Sequence, residues 1–174
     1  FIVGKEDEYS KEMYKRIVEE GHTLGMHSYS HNYSIIYSSV DAFVSDITKL
    51  QEYLYDITGI KTNLFRFPGG SSNLVSNVEM NEFISYLKGQ GITYYDWNVS
   101  SGDATNKEIS VDELVNNVIT DVNKFENSVV LMHDADNKTN TVKALPILIE
   151  KLLDMEAEIQ EINESTTPIQ HIKS

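Results

Sequence analysis

Short apolar runs alternate with amphipathic stretches along the whole chain. Six runs have the length and composition of buried strands, and they cover residues 1–4, 23–27, 64–67, 93–99, 128–133 and 158–162. In the stretches between them, apolar residues recur every three or four positions, which places them on one face of an α-helix. Helices are predicted at residues 9–20, 41–57, 78–90, 110–125 and 141–155. The pattern therefore predicts a succession of βα units.

Two of the predicted helices carry clear boundary signals. In the helix 41–57, the apolar residues are spaced four, three, four and three positions apart, namely Phe43, Ile47, Leu50, Leu54 and Ile57. Gly59 follows, and glycine commonly ends helices because it tolerates the left-handed conformation. At the start of the helix 110–125, Ser110 and Glu113 form a capping box, and the apolar face runs on to Phe125.

Strands that alternate with helices predict an α/β fold with a parallel sheet. Both an open, doubly wound sheet and a closed barrel fit this order of elements. In both architectures, functional side chains gather at the carboxyl ends of the strands. Polar residues that directly follow strands are therefore the candidates for a functional site.

Composition narrows the classes of partner. The 174 residues include 14 Lys and Arg against 27 Asp and Glu, which gives a net charge of −13. Nucleic acids and anionic lipids bind clustered Lys and Arg, so we expect neither as a partner. No apolar run approaches the roughly 20 residues that a membrane span requires, so we expect no membrane insertion. The absence of Cys excludes disulfides, thiolate metal sites and cysteine nucleophiles.

His27 and His31 follow the second predicted strand. Two imidazoles four residues apart can bind one metal ion if the backbone turns tightly between them. Two solvated loop histidines are the plain alternative, because this spacing alone is a weak signal. A zinc site needs further ligands, and a carboxylate is the expected third one.

Arg66 interrupts the end of the third apolar strand, just before Pro68 and Gly69. A simple turn after a strand explains the proline and the glycine, but it does not explain the arginine. A buried Arg requires an acidic partner. Glycine also allows backbone N–H groups to approach a ligand closely. This segment is therefore a second candidate for the site.

Asp96 interrupts the fourth strand, and Trp97 is the only Trp of the chain. A strand-end carboxylate and a core Trp are the plain alternative. In the functional interpretation, Asp96 is the partner of Arg66 or of a His. Trp97 would then form the wall of a pocket, since an aromatic face can pack against a sugar ring.

His133 ends the all-apolar fifth strand. The plain alternative is a histidine that is satisfied structurally. The functional interpretation is a general acid or base, because His titrates near neutral pH. A His pair, an Arg, an Asp and a single His at successive strand ends together predict metal-assisted hydrolysis.

These motifs resemble those of the polysaccharide deacetylase family, carbohydrate esterase family 4, over nearly the whole chain. Residues 21–31 resemble its second motif, H-[S/T]-x-x-H with a Gly-His lead-in. Residues 66–70 resemble its third motif, R-x-P-[Y/F]-G, except that Gly69 stands where an aromatic residue is common. Asp96 and Trp97 resemble the fourth motif, and residues 131–133 resemble the fifth, L-x-H.

The resemblance implies a fold and a set of roles. The family fold is a distorted (β/α)7 barrel, here a single catalytic domain over residues 1–174. His27 and His31 would bind a divalent metal, usually zinc. Arg66 would orient the catalytic base, and Asp96 would pair with Arg66 or tune His133, the general acid. The substrate-binding residues would be Trp97 and Pro68 together with Gly69, whose backbone N–H would help to hold the oxyanion. His22 is expected to be a structural core histidine, and His171 receives no role.

The family's first motif, Thr-Phe-Asp-Asp, does not occur in these 174 residues. In the family it supplies the catalytic base and the third metal ligand from the first strand. Residues 1–4 resemble the end of the second strand, so we expect an N-terminally incomplete domain that lacks the first βα unit. Truncation is the favoured explanation, and natural loss is the alternative. We expect this chain alone to bind metal weakly and to turn over little.

The activity implied for the intact parent is removal of N-acetyl groups from a polysaccharide that contains N-acetylglucosamine, either peptidoglycan or a chitin-like polymer. A carbohydrate-binding pseudoenzyme or an inactive truncated fragment is the alternative. Deacylation of a non-sugar amide is a more remote one, and Trp97 and the Arg66 motif weigh against it. Because such polymers lie outside the membrane, we expect an extracellular or cell-surface protein.

Overall fold

The computed structural model describes residues 1–105 and 107–173. Within that part of the chain there are six short strands: β1 (Ile2–Val3), β2 (Met26–Ser28), β3 (Leu64–Phe65), β4 (Thr93–Tyr94), β5 (Val99–Ser100) and β6 (Val130–Leu131). The same residues form six helices: α1 (Glu8–Glu19), α2 (Tyr33–Ile36), α3 (Val40–Thr58), α4 (Met80–Gly89), α5 (Val111–Val122) and α6 (Thr139–Asp154). None of these helices is long and apolar enough to cross a membrane.

The chain forms two compact units. The first unit comprises Phe1–Asp96 together with the described residues from Glu161 onward, and the second comprises Trp97–Gln160 apart from position 106. The first unit is therefore built from two separate stretches of the sequence.

The first unit contains a parallel sheet with the strand order β1-β2-β3-β4. Neighbours in the sheet are also neighbours along the sequence, and helices connect them, as the alternating pattern predicted. Its core consists largely of Leu, Ile, Met and aromatic side chains from β2 to β4 and from α3 and α4. The carboxyl ends of the strands lie at one edge of this sheet, which is where the candidate residues follow.

Helix α3 shows why this local sequence folds as it does. The Ser39 side chain accepts a hydrogen bond from the Ala42 amide and caps the first turn. Gly59 ends the helix in the left-handed conformation, with φ of 74°. The buried face includes Phe43, whose ring lies 4.7 Å from that of Phe83. The predicted bounds 41–57 are confirmed to within one residue at each end.

The second unit contains the parallel pair β5 and β6, with α5 and α6 packed on each other. Its small core combines residues of β5, α5 and α6, namely Val99, Leu114, Val115, Val118, Ala144 and Leu148. The predicted cap of α5 is present, because Ser110 Oγ accepts a hydrogen bond from the Glu113 amide at 3.2 Å. The helix ends at Val122, and Phe125 is 44% exposed beyond it. The prediction that Phe125 continues the apolar face was therefore wrong.

Two of the strand predictions require correction. Residues 158–162 form no strand, and Ile159 is 53% exposed, because the apolar side chains of this polar stretch do not reach a core. The predicted strand 93–99 is split into β4 and β5. The Asp96 amide leaves the ladder and donates instead to the carbonyl of Ile169 at 2.7 Å. Helix α2, a single turn capped by Asn32, was not predicted.

Candidate functional site

The structure brings His27 and His31 together in the first unit. His27 lies in β2, and its ring centroid is 5.2 Å from that of His31. The His27 Nδ1 atom is 2.6 Å from the carbonyl oxygen of Arg66. A carbonyl can only accept, so Nδ1 carries the proton and Nε2 keeps its lone pair. This tautomer is the one that metal-binding histidines adopt when their second nitrogen donates to a carbonyl.

Burial sets the charge of His27. It lowers the pKa of the imidazole to about 3, because desolvation outweighs the opposing effect of the hydrogen bond to the Arg66 carbonyl. The neighbouring His31 and Arg66 lower this pKa further. His27 is therefore neutral near pH 7, the form in which an imidazole can bind a metal ion.

The loop between the two histidines is held by Asp46, a residue of α3 that the sequence analysis did not single out. The Asp46 carboxylate accepts hydrogen bonds from the Ser28 hydroxyl (2.8 Å), the Tyr29 amide (2.8 Å) and the Ser30 amide (2.9 Å). A sequence signal for it existed. Asp46 stands beside Ile47 on the apolar face of α3, where a carboxylate requires buried partners.

The Pro-Gly-Gly turn after β3 lies against the His31 side of this loop. Gly69 has a φ of 77°, which favours glycine. A Cβ at position 69 would lie 3.6 Å from the hydroxyl oxygen of Tyr33, whose ring is 5.5 Å from that of His31. The Tyr37 hydroxyl donates to the carbonyl of Pro68 at 2.7 Å and fixes the turn. The glycine backbone and the His pair are thus parts of one surface.

Arg66 is buried, as its position in an apolar strand predicted. Its Nε donates to the carbonyl of Tyr95 at 3.1 Å. Burial lowers the pKa of the guanidinium to about 10, and the nearby Asp96 carboxylate opposes that shift. Arg66 therefore remains charged at neutral pH.

Asp96 is fully buried and accepts hydrogen bonds from residues other than Arg66. The Ser71 amide donates to it at 2.8 Å, the Ser71 hydroxyl donates to its second oxygen, and the His171 amide donates to that same oxygen at 2.8 Å. Asp96 therefore acts on Arg66 through its charge, while its hydrogen bonds hold the turn and the C-terminal segment. His171, to which the sequence assigned no role, is part of this arrangement.

In the second unit, His133 is paired with Asp103. The His133 Nδ1 and its backbone amide both donate to the Asp103 carboxylate at 2.8 Å, and Thr141 Oγ1 donates at 3.0 Å. Burial raises the pKa of Asp103, but the hydrogen bonds from His133 together outweigh it, so the pKa lies below its usual range. Asp96 was the residue predicted for this pairing, and Asp103, three residues after the end of β5, was missed.

The remaining predicted residues have these places. Trp97 is half-buried at the start of the second unit. That Trp97 and His133 border one cavity with His27, His31 and Arg66 stays a prediction. Across residues 1–105 and 107–173, no three His, Asp or Glu side chains converge in a group that could hold a metal ion.

Comparison with known proteins gives a consistent result. The family model for polysaccharide deacetylase matches residues 1–88. The crystal structure of the catalytic domain of a peptidoglycan N-acetylglucosamine deacetylase from Eubacterium rectale is 35% identical, with a TM-score of 0.90, over 94% of this chain and 76% of that one. The parallel α/β fold predicted from the sequence is thereby confirmed.

Two relatives of known sequence are similar over most of the chain. YheN of Bacillus subtilis, which is assigned to the polysaccharide deacetylases, is 31% identical over 91% of this chain and 55% of its own length. A peptidoglycan-N-acetylglucosamine deacetylase of Bacillus cereus is 27% identical over 95% of this chain and 59% of its own length. The chain thus spans little more than half the length of these relatives.

Proposed function

Because the chain belongs to the polysaccharide deacetylase family, we propose that the protein removes N-acetyl groups from N-acetylglucosamine-containing polysaccharide. The observation that carries the proposal is the state of the His pair. His27 is neutral, donates through Nδ1 to the Arg66 carbonyl, and has His31 beside it. The names of the relatives support peptidoglycan as the substrate class.

We further propose that the reaction depends on a divalent metal, most consistent with zinc. The residues fit such an ion, because His27 keeps the Nε2 lone pair and the ring of His31 is adjacent. A bound zinc ion would supply Lewis acidity to the acetamide carbonyl and to a water molecule. His27 and His31 would contribute two of its ligands.

The proton for the leaving amine would come from His133. The hydrogen bond from Nδ1 to Asp103 fixes the tautomer, so that Nε2 is the atom that exchanges a proton with substrate. This is the arrangement expected of a general acid.

The turn after β3 would bind the acyl group. The backbone N–H of Gly69 would donate to the oxyanion that develops on the acetamide carbonyl. Arg66, charged and anchored to the Tyr95 carbonyl, would orient a carboxylate beside the site. Trp97, which is half-buried, would form an apolar wall for the sugar ring, whereas Pro68 is buried and would act only by shaping the turn.

Acetate release tests this proposal. The protein in its full natural length is incubated with zinc and with peptidoglycan or N-acetylglucosamine oligomers, and released acetate is measured enzymatically. We expect release that a chelator abolishes and that zinc restores. His133→Ala and His27→Ala should each lower the rate at least about 100-fold. His22 is exposed and not in the core as the sequence predicted, so His22→Ala is the control and should leave the rate unchanged.

Release of acetate that survives both the chelator and the His27→Ala substitution would contradict metal dependence. Absence of release from every N-acetylated glycan, by protein that binds zinc, would contradict the enzymatic proposal and favour a carbohydrate-binding role.

We propose a location outside the cytoplasmic membrane or at the cell surface. The support is the substrate class, because polymers of this kind lie outside the membrane. The net charge of −13 supports a partner other than nucleic acid. Immunodetection in cell-wall, membrane and cytoplasmic fractions tests the location, and recovery only in the cytoplasm would contradict it.

A further inference from the structure

We propose that Asp46 is a positioning residue for the candidate metal ligands. It would set the conformation of the loop that carries His27 and His31 without touching metal or substrate. The expected effect on metal affinity rests on the proposed function. The holding of the loop by Asp46 rests only on the geometry of its hydrogen bonds.

The Asp46 carboxylate is directed at one short segment. Its first oxygen accepts from the Ser28 hydroxyl and the Tyr29 amide, and its second oxygen accepts from the Ser30 amide. All three donors lie between the two candidate ligands. Asp46 is 9% exposed, so these hydrogen bonds act where water does not compete strongly.

A relay extends from Asp46 to the backbone of His31. The Ser28 hydroxyl donates a hydrogen bond to Asp46, so the lone pairs of the Ser28 oxygen remain available to accept another. The His31 amide donates to that oxygen at 2.8 Å. His31 has a φ of 48°, in the left-handed region that non-glycine residues rarely adopt. Such a conformation persists only where surrounding contacts hold it, and the relay supplies one of them.

Asp46 lies on a helix that is anchored in the core, so its carboxylate has a fixed position from which to hold the loop. Residue 46 lies in the second turn of α3, whose side chains Phe43, Ile47 and Leu50 are buried in the core of the first unit. The carboxylate is therefore fixed to a helix that is packed into that core. The loop is fixed to the carboxylate in turn.

Asp46→Asn is the test variant, because the amide has one acceptor oxygen where the carboxylate has two. Its NH2 group would face a backbone N–H. In the protein of full natural length, competition with a chromophoric chelator should show zinc affinity at least about tenfold weaker than for the unmodified protein. Asp56→Asn, an exposed change of the same kind on the same helix, should leave the affinity unchanged.

A second measurement needs no metal. Amide hydrogen exchange should show loss of protection at Tyr29, Ser30 and His31 in Asp46→Asn, with protection at Leu50 and Phe65 retained as evidence of folding. Ser28→Ala should remove protection at His31 while sparing Ser30. For zinc affinity, Ser28→Ala combined with Asp46→Asn should weaken binding less than the product of the two single effects.

The two proposals fail separately. If the unmodified protein binds no zinc but the loop loses protection in Asp46→Asn, the metal proposal fails and the positioning role stands. If zinc binds with equal affinity to Asp46→Asn, or if protection at residues 29–31 is unchanged, the positioning role is overturned. If Asp46→Asn does not fold, Ser28→Ala is the test variant. Unchanged protection at His31 and unchanged zinc affinity in Ser28→Ala would then overturn the positioning role.

Discussion

Three buried carboxylates organise this molecule at the scale of single residues. Asp46 holds the loop of the His pair, Asp96 holds the turn after β3, and Asp103 holds His133. Each accepts at least one backbone N–H from a segment that carries a candidate site residue. The backbone groups that shape the site are thus satisfied by side chains where no strand or helix satisfies them.

The pairing of Asp103 with His133 makes stability depend on pH. The pKa of Asp103 lies below its unfolded value of about 3.9, so the native state binds fewer protons than the unfolded state as the pH falls. The stabilisation is complete above about pH 5 and is lost as the pH falls through the native pKa. We expect the melting temperature to drop more steeply below about pH 4 in the unmodified protein than in Asp103→Asn.

Thermal unfolding at a series of pH values checks this expectation. Asp154→Asn, an exposed change at the end of α6, should follow the unmodified protein. Parallel curves for the unmodified protein and Asp103→Asn would show that the pair contributes nothing.

The sequence identified residues better than it identified their partners. His27, Arg66 and His133 were found because polar side chains at apolar strand ends are conspicuous. Asp46 and Asp103 were missed, because which carboxylate reaches which donor depends on how helices and loops pack. Spacing along the chain does not carry that information, since the donors lie 16 to 18 residues from Asp46 and 30 or 38 residues from Asp103.

At the scale of the element, the end of α3 allows the cost of a left-handed backbone conformation to be measured without any change in side-chain packing. Gly59 has a φ of 74°, and nothing lies within 4 Å of the place where a Cβ would stand. Gly59→Ala should therefore lower the free energy of unfolding by about 1 kcal/mol through backbone strain alone.

Gly89, the last residue of α4, is the matched control. Its added Cβ would also meet open space, but its φ is not in the left-handed region. Gly89→Ala should raise stability by about 0.5–1 kcal/mol, because alanine loses less entropy in a helix. Urea denaturation of both variants measures the difference, and equal effects of the two changes would refute the argument.

The aromatic cluster on α3 gives a second element-scale prediction. The ring of Phe43 lies 5.5 Å from that of Phe65, 5.7 Å from that of Phe67 and 4.7 Å from that of Phe83. Phe43→Ala should destabilise the protein by about 3–5 kcal/mol, since it removes buried contacts and leaves a cavity. Tyr55→Ala on the same helix, at a site that is 53% exposed, should cost less than about 1 kcal/mol in urea denaturation. A comparable loss at both sites would contradict the assignment of the core.

Helices were easier to predict than strands for a physical reason. An amphipathic helix repeats its signal over several turns, as in α3, so that one deviating residue does not obscure it. The strands of this protein have two or three residues in the sheet, and so short a run has no periodicity. Residues 158–162 look like a strand because the sequence cannot reveal that no partner strand lies beside them.

At the scale of the whole molecule, the C-terminal segment completes the first unit. Asp96 accepts from the His171 amide and donates its own amide to the Ile169 carbonyl, while the Ile172 amide donates to Ser71 Oγ. Removal of residues 169–174 would leave buried polar groups of Asp96 and Ser71 without these partners. We expect a loss of at least about 2 kcal/mol in the free energy of unfolding.

Urea denaturation measures the total loss, and amide exchange should place it in the first unit. Removal of residues 173–174 alone retains these hydrogen bonds and should have little effect. Full stability after removal of residues 169–174 would mean that the segment is dispensable.

The alternation of strands and helices was predictable from the sequence. The division of the chain into two compact units was not. Nothing in the composition separates Asp96 from Trp97, because both belong to one apolar run. The return of the segment after Glu161 to the first unit is set by hydrogen bonds that join residues as far as 101 positions apart. The pattern of neighbouring residues does not identify hydrogen-bond partners that lie so far apart in the sequence.

The return of the C-terminal segment to the first unit has a consequence for folding during synthesis on the ribosome. The His171 amide, one of the donors to Asp96, is made 75 residues later, which at 5–20 residues per second is a delay of roughly 4–15 s. During that interval the Asp96 carboxylate has its Ser71 donors but lacks the His171 amide, whereas the second unit, Trp97–Gln160, is one contiguous stretch and needs no later residue. Of the two units, the one whose residues begin earlier in the chain is therefore completed last.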